Sequence, residues 1–267
     1  MELRHKIVIY TCLTGDYDKL REPSVKDDRF DYIYFSTHKV TACDSIWQYR
    51  KLKKEGLDKI RLSRLYKLRP HLVLNDYDYC VYMDANLQII NKSIYDQIIE
   101  NIEEDALWVG IKHPARNCIY EEGYAVVVSR KANYFKVKSF LKKMMKSGFP
   151  HNFGMTENNF ILRSLRSPQV LKICDEWWNL FIESNTQRDQ LCLPVVFWRN
   201  NFNPKYFSEN KNTWTYPGLE RYTHSDNNPQ TKLSTMIENF KEKKGYYTNR
   251  CLFVLFGPIT KKRTSHA

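Results

Sequence analysis

The chain has 267 residues, of which 42% are hydrophobic and 14% aromatic, with 42 Lys and Arg against 30 Asp and Glu. The aromatic content excludes a disordered tail, and the length excludes a small disulfide scaffold because it supports a hydrophobic core of its own. The net charge of +12 predicts an anionic partner, which leaves nucleic acid, a membrane surface and a phosphorylated small molecule open.

The cysteines and the apolar runs indicate which cellular compartment the protein occupies. The seven cysteines are widely spaced, and no two have the CxxC or CxxxC spacing of a zinc site. An odd number without close pairs predicts reduced, mostly buried thiols in a reducing compartment. The run Ile7–Tyr10 is too short for a signal peptide, and the run near Cys251–Phe256 is far below a membrane span. We expect a cytoplasmic protein with a single domain, its core over about 1–200 and a C-terminal extension of loop and helix over 201–267.

Three apolar segments early in the chain predict buried strands, at Lys6–Leu13, Tyr32–Ser36 and Tyr79–Met83. Between the second and the third, Asp58–Arg69 predicts a helix because its leucines recur at helical spacing, and Pro70 ends or kinks it. The other face of this helix carries three cations, Arg61, Arg64 and Lys67. They form either a solvated face or a contact with phosphate oxygens.

The rest of the chain continues this alternation. Further strands are predicted at Ala106–Ile111 and Tyr124–Val128, and helices at Ala132–Lys146, from Ser167-Pro168 to Phe181, and from Thr186 onward. In the last helix, Asp189 is expected to complete a variant of the capping box. Residues 200–228, rich in Asn, Pro, Tyr and Trp, predict a loop. Strands that alternate with helices imply an α/β fold with a mostly parallel central sheet flanked by helices.

The third predicted strand is followed by Asp84-Ala85-Asn86, two polar side chains separated by one residue. In open α/β sheets, ligands bind beyond the carboxyl ends of the strands. A carboxylate there can hold a divalent cation, and the cation can hold a diphosphate. The alternative is a strand-end turn in which Asp84 caps a backbone N–H.

Two further segments have the composition of a site. The turn Thr11–Tyr17 is either an ordinary turn or a place where backbone amides approach a nucleotide, with Tyr10 or Tyr17 stacking on its base. The segment His113–Glu122 crowds an imidazole, a guanidinium and two carboxylates together. It predicts a polar loop over a site, the alternative being a solvated charged loop.

Four segments together resemble a family of GT-A-type glycosyltransferase-like domains found in bacterial surface-polysaccharide gene clusters and in plant mucilage and ceramidase-like proteins. In chain order they are Tyr10–Asp18, Tyr82–Ile89, His113–Glu122 and Gln187–Gln190. The resemblance spans residues 10–190. It implies a GT-A-like (Rossmann-like) fold, a nucleotide-diphosphate sugar donor, with a UDP-sugar expected, and a divalent cation, Mn²⁺ or Mg²⁺.

The resemblance also implies a site. Donor binding is expected from the matched segments and the basic helix, at Tyr10, Thr11, Gly15, Tyr17, Arg61, Arg64, Lys67, Asp84, Ala85, Asn86, His113 and Arg116. The implied metal ligands are Asp84, Asn86 and the late His224, for which a surface loop position is the alternative. Asn86 stands where the usual Asp-x-Asp has its second Asp. Because a neutral amide oxygen is a poorer ligand than a carboxylate, a metal-independent enzyme stays open.

Four carboxylates are candidates for positioning sugar hydroxyls or deprotonating the acceptor: Asp189, Glu157, Glu121 and Glu122. Asp189 has helix capping as its alternative role. Residues 123–156 contain no Asp or Glu. The basic helix near 131–146 therefore either contacts anionic lipid as a peripheral membrane surface or has a solvated outer face.

The predicted function is transfer of a sugar from a nucleotide-diphosphate sugar to a glycan or lipid-linked acceptor in surface polysaccharide or lipopolysaccharide biosynthesis. A ceramidase-like hydrolase is one alternative, although the sequence has no zinc motif or nucleophile elbow. A nucleic-acid-binding protein is the other. It has only the charge in its favour, because no recognised binding motif occurs and the charge is spread along the chain.

Overall fold

A seven-stranded sheet forms the centre of the computed structural model, which describes residues 5–15, 18–40, 44–53 and 56–222 and Leu252. The strands in chain order are β1 (Ile7–Leu13), β2 (Phe30–Ser36), β3 (Gln48–Lys51), β4 (Tyr79–Met83), β5 (Leu87–Ile89), β6 (Trp108–Lys112), β7 (Thr156–Ser164), β8 (Lys205–Tyr206) and β9 (Leu219–Arg221). The large sheet has the order β3-β2-β1-β4-β7-β6-β8, and β5 pairs with β9. Only β7 is antiparallel to its neighbours in the large sheet.

Helices cover both faces of the sheet. They are α1 (Lys59–Leu68), α2 (Ser93–Glu103), α3 (Ile119–Val128), α4 (Tyr134–Lys146), α5 (Pro168–Ser184) and α6 (Asp189–Arg199). Alternate residues of β1 enter two different cores, Val8 and Tyr10 with α1 and α3–α6, and Ile7 and Ile9 with α2 and β5. The predicted mixed α/β fold with a mostly parallel central sheet is therefore confirmed.

Side-chain caps begin three of the predicted helices. Asp58 accepts a hydrogen bond from the Arg61 N–H at the start of α1, and Ser167 accepts one from Val170 at the start of α5. Asn133 caps α4 in the same way. A capping side chain satisfies N–H groups that have no partner within the helix, so these residues determine where each helix begins.

The predicted strand at Tyr124–Val128 is wrong, because these residues form the second half of α3. A run of valines is typical of strands, but the buried positions follow helical spacing, at Ile119, Tyr120, Gly123, Val126 and Val127. Gly123 lets α3 pack closely on α4, since a Cβ there would overlap with Leu141 Cδ1. Tertiary packing has overridden the local strand preference.

The helix predicted from Thr186 begins instead at Asp189. Gln187 has a φ of 60° and Arg188 is extended, so the chain turns before the helix starts. The Thr186 hydroxyl accepts the Arg188 N–H at 3.3 Å and forms no capping box. The carboxylate of Asp189, at the first helical position, is left for contacts with other elements.

The sequence patterns do not predict the strands β3, β5 and β7 or the helix α2. The start of β7 is polar, yet all nine residues of the strand are buried. Its pairing with β6 shifts register between Val109 and Ile111, which gives an irregularity next to the polar residues. The region predicted as loop from residue 200 is mostly loop as far as residue 222, with the short strands β8 and β9 within it.

Five of the cysteines lie in the described residues, and all five are free thiols: Cys12, Cys80, Cys118, Cys174 and Cys192. Burial raises the pKa of Cys80 and of Cys192 to about 12, so both thiols stay protonated and unreactive. Four of these five thiols are buried, as predicted for most of the cysteines, and Cys43 and Cys251 lie outside the described residues. No helix in the described part of the chain combines the length and apolar content needed to cross a bilayer.

Candidate active site

Three strand ends and one strand start meet at one edge of the sheet. β4 ends at Met83 and β6 ends at Lys112, both opposite the first half of the antiparallel β7. Asp84 and His113, which follow these two strands, therefore share the edge with Glu157 of β7. The carboxyl end of β1 lies beside that of β4, and this is the edge at which open α/β sheets bind ligands.

Asp84 is partly exposed at this edge and held in place by three contacts. Its backbone N–H donates to the Asn159 carbonyl at 2.8 Å. Its Oδ1 accepts the Tyr82 hydroxyl at 2.6 Å and lies 3.5 Å from the Lys67 ammonium. The side chain is 35% exposed, and its Oδ2 makes no hydrogen bond or ion pair to any residue that the structure describes. Asp84 therefore presents a fixed and accessible carboxylate oxygen.

Two of the three cations on the basic face of α1 contact a buried carboxylate instead of solvent. Arg64 Nε donates to Asp189 Oδ1 at 3.0 Å, and Lys67 Nζ lies 3.4 Å from Asp189 Oδ2. Lys67 is only 3% exposed and lies between Asp189 and Asp84, with its ammonium 4.8 Å from the Tyr82 ring centre. The structure brings these predicted site residues together in one buried network.

Asp189 is ionised in this network. Burial raises the pKa of its carboxyl, but the charges of Arg64, Lys67 and Arg188 outweigh burial and hold that pKa well below its usual range. In turn, burial opposes the charged form of Arg64, and Asp189 more than offsets this and raises the Arg64 pKa. A carboxylate with so low a pKa is a weak base, so the environment of Asp189 suits it to holding cations in place.

A buried arginine fixes the position of Lys67. Arg163 of β7 is fully buried, and its Nη2 donates to the Tyr10 hydroxyl at 2.6 Å and to the Lys67 carbonyl at 2.9 Å. The Tyr10 hydroxyl in turn donates to the Lys67 carbonyl at 3.2 Å. These bonds tie the last turn of α1 to β1 and β7.

Tyr10 is therefore a core residue. It is fully buried and offers no ring face to a base, contrary to the stacking role predicted for it. Thr11 is also fully buried, and its hydroxyl has no hydrogen-bond partner among the described residues. Gly15 has a φ of 83° in the turn that follows, where a Cβ would lie 3.3 Å from the ammonium of Lys59. Lys59 is a cation at this turn that the sequence analysis did not single out.

Other predicted site residues lie at the margin of the site or outside the described residues. Arg61 pairs with Asp58 at 2.7 Å and with Asn185 at 3.2 Å, so it supports the start of α1. Ala85 is buried. Tyr17 and His224 lie outside the described residues. So do residues 223–267 of the predicted C-terminal extension, except for Leu252.

Glu157 is a buried carboxylate whose two oxygens both have partners within the protein. Its Oε2 accepts the backbone N–H and the hydroxyl of Thr213, at 2.8 and 3.0 Å, and its Oε1 accepts Arg221 Nη1 at 3.0 Å. The Arg221 guanidinium lies 4.6 Å from the ring centre of the exposed Trp214. Glu157 therefore anchors the segment around β9 to β7.

The predicted polar loop His113–Glu122 is a loop only up to Cys118, because Glu121 and Glu122 lie in the first turn of α3. Glu122 is buried and accepts from Arg116 Nε, whereas Glu121 is exposed. His113 Nδ1 accepts two backbone N–H groups, at 3.0 and 3.2 Å, and Nε2 lies 3.8 Å from Glu122. Burial, Arg116 and Arg221 lower the His113 pKa to about 4, so the imidazole is neutral at pH 7.

The described residues suit a divalent cation only if substrate supplies further ligands. No group of three or more His, Cys, Asp or Glu in the described residues is arranged to hold a metal. Asp84 Oδ2 offers one carboxylate oxygen, and the Asn86 amide, whose Nδ2 donates to the Tyr222 carbonyl at 2.9 Å, offers its oxygen. Mg²⁺ commonly binds through one or two carboxylates together with water and substrate phosphates, and this donor set fits that mode.

Besides Lys59, three cations near the site have no site role predicted from the sequence: Lys131, Arg188 and Arg221. Arg188 lies within Gln187–Gln190, but no role was derived for it. Arg221 reaches the site only because β9 pairs with β5, a contact between residues 130 to 134 positions apart. Neither periodicity nor spacing signals such a pairing.

Comparisons with known proteins give similarity of fold alone. No family model matches the chain, and no curated protein matches it. One similar solved structure is core-mannan synthase A from Aspergillus fumigatus in its Mn/GDP form, at 9% identity and a TM-score of 0.41, covering 73% of this chain and 70% of that chain. Another is the apo structure of WbbM, a bifunctional glycosyltransferase, at 9% identity and a TM-score of 0.43. The match covers 89% of this chain but 52% of the WbbM chain, so this chain spans about half of WbbM.

Proposed function

We propose that the protein is a glycosyltransferase that uses a nucleotide-diphosphate sugar, with a UDP-sugar as the expected donor. The observation that carries the proposal is the network of Lys67, Asp84, Asp189 and Arg64 at the carboxyl edge of the sheet. Buried charges are costly unless they are paired. The buried charges of this network are paired, and one of its members, Asp84, is partly exposed and can meet a ligand. The similarity to the two glycosyltransferases is too low to add to this argument.

The donor would bind in the crevice between the ends of β1 and β4. The order of the sheet reverses there, since β2 and β3 lie beyond β1 on one side and β7 and β6 beyond β4 on the other. The turn at Gly15, with Lys59 beside it, would cover the nucleotide side. Asp84 Oδ2 would bind a ribose hydroxyl, or a cation that the diphosphate shares.

Departure of the nucleoside diphosphate requires positive charge near its phosphates. Lys67 and Arg64 supply it, and Asp189 holds both side chains in position before substrate arrives. Fixed charges of this kind stabilise a leaving group without reorganisation during the reaction. A divalent cation held by Asp84 and Asn86 would add Lewis-acid stabilisation of the same phosphates.

The acceptor would bind on the β6 side of the edge, at His113, Arg116 and Glu122. The His113 Nδ1 already accepts two backbone N–H groups, and Nε2 lies 3.5 Å from Arg116 Nη2 and 3.8 Å from the buried Glu122 carboxylate. The Arg116 guanidinium donates to Glu122, so these two side chains offer donors and an acceptor to a sugar hydroxyl. A glycan or lipid-linked acceptor of surface polysaccharide or lipopolysaccharide assembly is the class that we propose.

A thermal-shift series with UDP, GDP and the other nucleoside diphosphates, each with and without Mn²⁺, tests this proposal. We expect one nucleotide to raise the melting temperature of the full chain, because a ligand that binds only the folded state stabilises it. The Asp84→Asn variant should lose most of that shift. Asp76→Asn is the matched control, since Asp76 is about half-exposed and pairs at 3.5 Å with Lys6, just before β1. Absence of any nucleotide-dependent shift in the unmodified chain would overturn the proposal.

A further inference from the structure

The start of β7 is a meeting point for three segments that are distant in sequence. Thr156 pairs with Lys112 at the end of β6, and its carbonyl accepts Gln190 Nε2 of α6 at 3.0 Å. Glu157 binds Arg221 of β9 at 3.0 Å. The loop after β6, the start of α6 and β9 therefore converge at the carboxyl edge of the sheet.

Four cations lie on these three segments and in the turn that follows α3: Arg116, Lys131, Arg188 and Arg221. We call them the Arg188 cluster. Arg116 pairs with Glu122 and Arg221 pairs with Glu157. Neither Lys131 nor Arg188 has a side-chain ion pair with any described residue, and the buried Arg188 Nε has no hydrogen-bond acceptor there. A buried donor without an acceptor is rare in folded proteins and calls for a ligand or a water.

The electrostatics agree with this geometry. Partial burial lowers the pKa of Lys131, and the charges of Arg188, Arg221 and Arg116 lower it further, with Glu122 opposing them. Asp189 also faces Arg188, but it already pairs with two cations of α1. The His113 imidazole is neutral at pH 7 and adds no charge. The cluster thus holds four cations against two carboxylates of its own, an arrangement that an anion would stabilise.

The Arg188 cluster is separate from the nucleotide crevice. The crevice lies between β1 and β4, whereas the cluster lies at β7 and β6, one and two strands beyond β4. With about 4.8 Å between neighbouring strands, the end of β6 is roughly 10 Å from that of β4. A diphosphate seated beside Asp84 would leave the Arg188 cluster for another group.

We propose that the Arg188 cluster is an oxyanion subsite that binds a phosphate group of the acceptor. Arginine forks bind phosphate oxygens in pairs, and Lys131 adds a point charge at the rim. The subsite itself follows from the geometry of the cluster, whereas naming the acceptor as the source of the phosphate rests on the proposed function. The substrate class that follows is an anionic, phosphate-bearing acceptor.

Isothermal titration of the full chain with inorganic pyrophosphate, in a buffer without phosphate and with UDP at saturation, tests the subsite. We expect binding to the unmodified chain. Arg188→Gln and the exposed Lys131→Gln should each weaken it about tenfold or more, because each removes a charge-assisted contact. Arg188→Lys should fall between, since it keeps the charge without the fork. Lys172→Gln, on the exposed face of α5, is the control and should match the unmodified chain.

The outcomes separate the subsite from the proposed function. Equal affinity in all these variants, at unchanged melting temperature, would overturn the subsite. Loss of pyrophosphate binding when UDP is present would also overturn it, because the cluster would then hold the donor diphosphate. If UDP fails to bind while pyrophosphate binds through Arg188 and Lys131, the subsite stands and the transferase proposal fails.

Discussion

The ammonium of Lys67 lies 3.4 Å from the carboxylate of Asp189, and the two side chains are 3% and 6% exposed. An ion pair so deeply buried adds little net stability, because removing both charges from water costs about as much as their attraction returns. Breaking the pair is different, since it leaves one buried charge without a partner. The pair therefore constrains where the Lys67 charge lies. It also predicts that Asp189 and Asp84, the two carboxylates beside Lys67, contribute unequally to stability.

Replacing Asp189 should affect stability far more than replacing Asp84. Asp189→Asn leaves Arg64 and Lys67 without their buried partner, and we expect a loss of roughly 3–5 kcal/mol in the free energy of unfolding. Asp84→Asn removes a carboxylate that is 35% exposed, and we expect a loss of at most about 1 kcal/mol. Urea unfolding at pH 7 measures both values. Equal losses would contradict the assignment of Asp189 as the carboxylate that holds the cations.

Stability should fall between pH 6.5 and pH 4 through His113. Burial, Arg116 and Arg221 depress the pKa of its imidazole to about 4 in the folded chain, against about 6.5 when unfolded. Above pH 6.5 the His113 imidazole is neutral in both the folded and the unfolded chain, so no stability is lost. As the pH falls toward 4, the unfolded state binds a proton that the folded state does not, which costs up to about 3 kcal/mol.

The variant His113→Asn isolates this effect. Asn keeps an acceptor for the backbone N–H groups of Ala115 and Arg116 but does not titrate. Urea unfolding of both proteins from pH 7 to pH 4 should give a difference that shifts in favour of the variant as the pH falls. A difference that stays constant over this range would show that His113 does not titrate in this way. His71, whose pKa is also lowered, is present in both proteins and cancels.

The parts of the fold that sequence predicts are those with local signals. β4 was predicted with its observed bounds, and α1 and α5 begin after the capping residues Asp58 and Ser167. β7 escaped prediction because its first residues are polar and are buried only through contacts with distant segments. The second half of α3 was predicted as a strand because a run of valines is typical of strands. The close packing of Gly123 on α4, which accompanies the helix, has no local sequence signal.

The site likewise has residues with a local sequence signal and contacts without one. Asp84 and the cations of α1 are visible in sequence because one follows an apolar strand and the others share a helix face. Their pairing through Asp189 is not visible, since it joins residues 125 positions apart. Tyr10 illustrates the reverse error: an aromatic beside a glycine turn suggested base stacking, but its hydroxyl is needed in the core by Arg163.

Arg163 should be a positioning residue for Lys67. Arg163→Met removes the bonds to the Tyr10 hydroxyl and the Lys67 carbonyl, and we expect a loss of about 2–4 kcal/mol in the free energy of unfolding. Arg166→Met is the control, because Arg166 is 61% exposed and pairs with Asp78 at the surface, so its loss should stay below about 1 kcal/mol. Donor affinity should also weaken in Arg163→Met at temperatures where the variant is fully folded. Unchanged affinity there would limit Arg163 to a structural role.

Substitutions on the outer face of α4 test the proposed peripheral contact with anionic membranes. Lys136, Lys142 and Lys146 are exposed, and Phe135 and Met145 are exposed beside them. Each lysine near an anionic surface contributes about 1 kcal/mol, so changing all three to Gln should weaken binding to phosphatidylserine vesicles on the order of 100-fold. Lys143→Gln should have little effect, because Lys143 already pairs with Glu183. Co-sedimentation with vesicles of graded phosphatidylserine content measures this. Binding that is absent, or that does not rise with the anionic lipid, would leave α4 with a solvated basic face and remove the membrane from the partners of this protein.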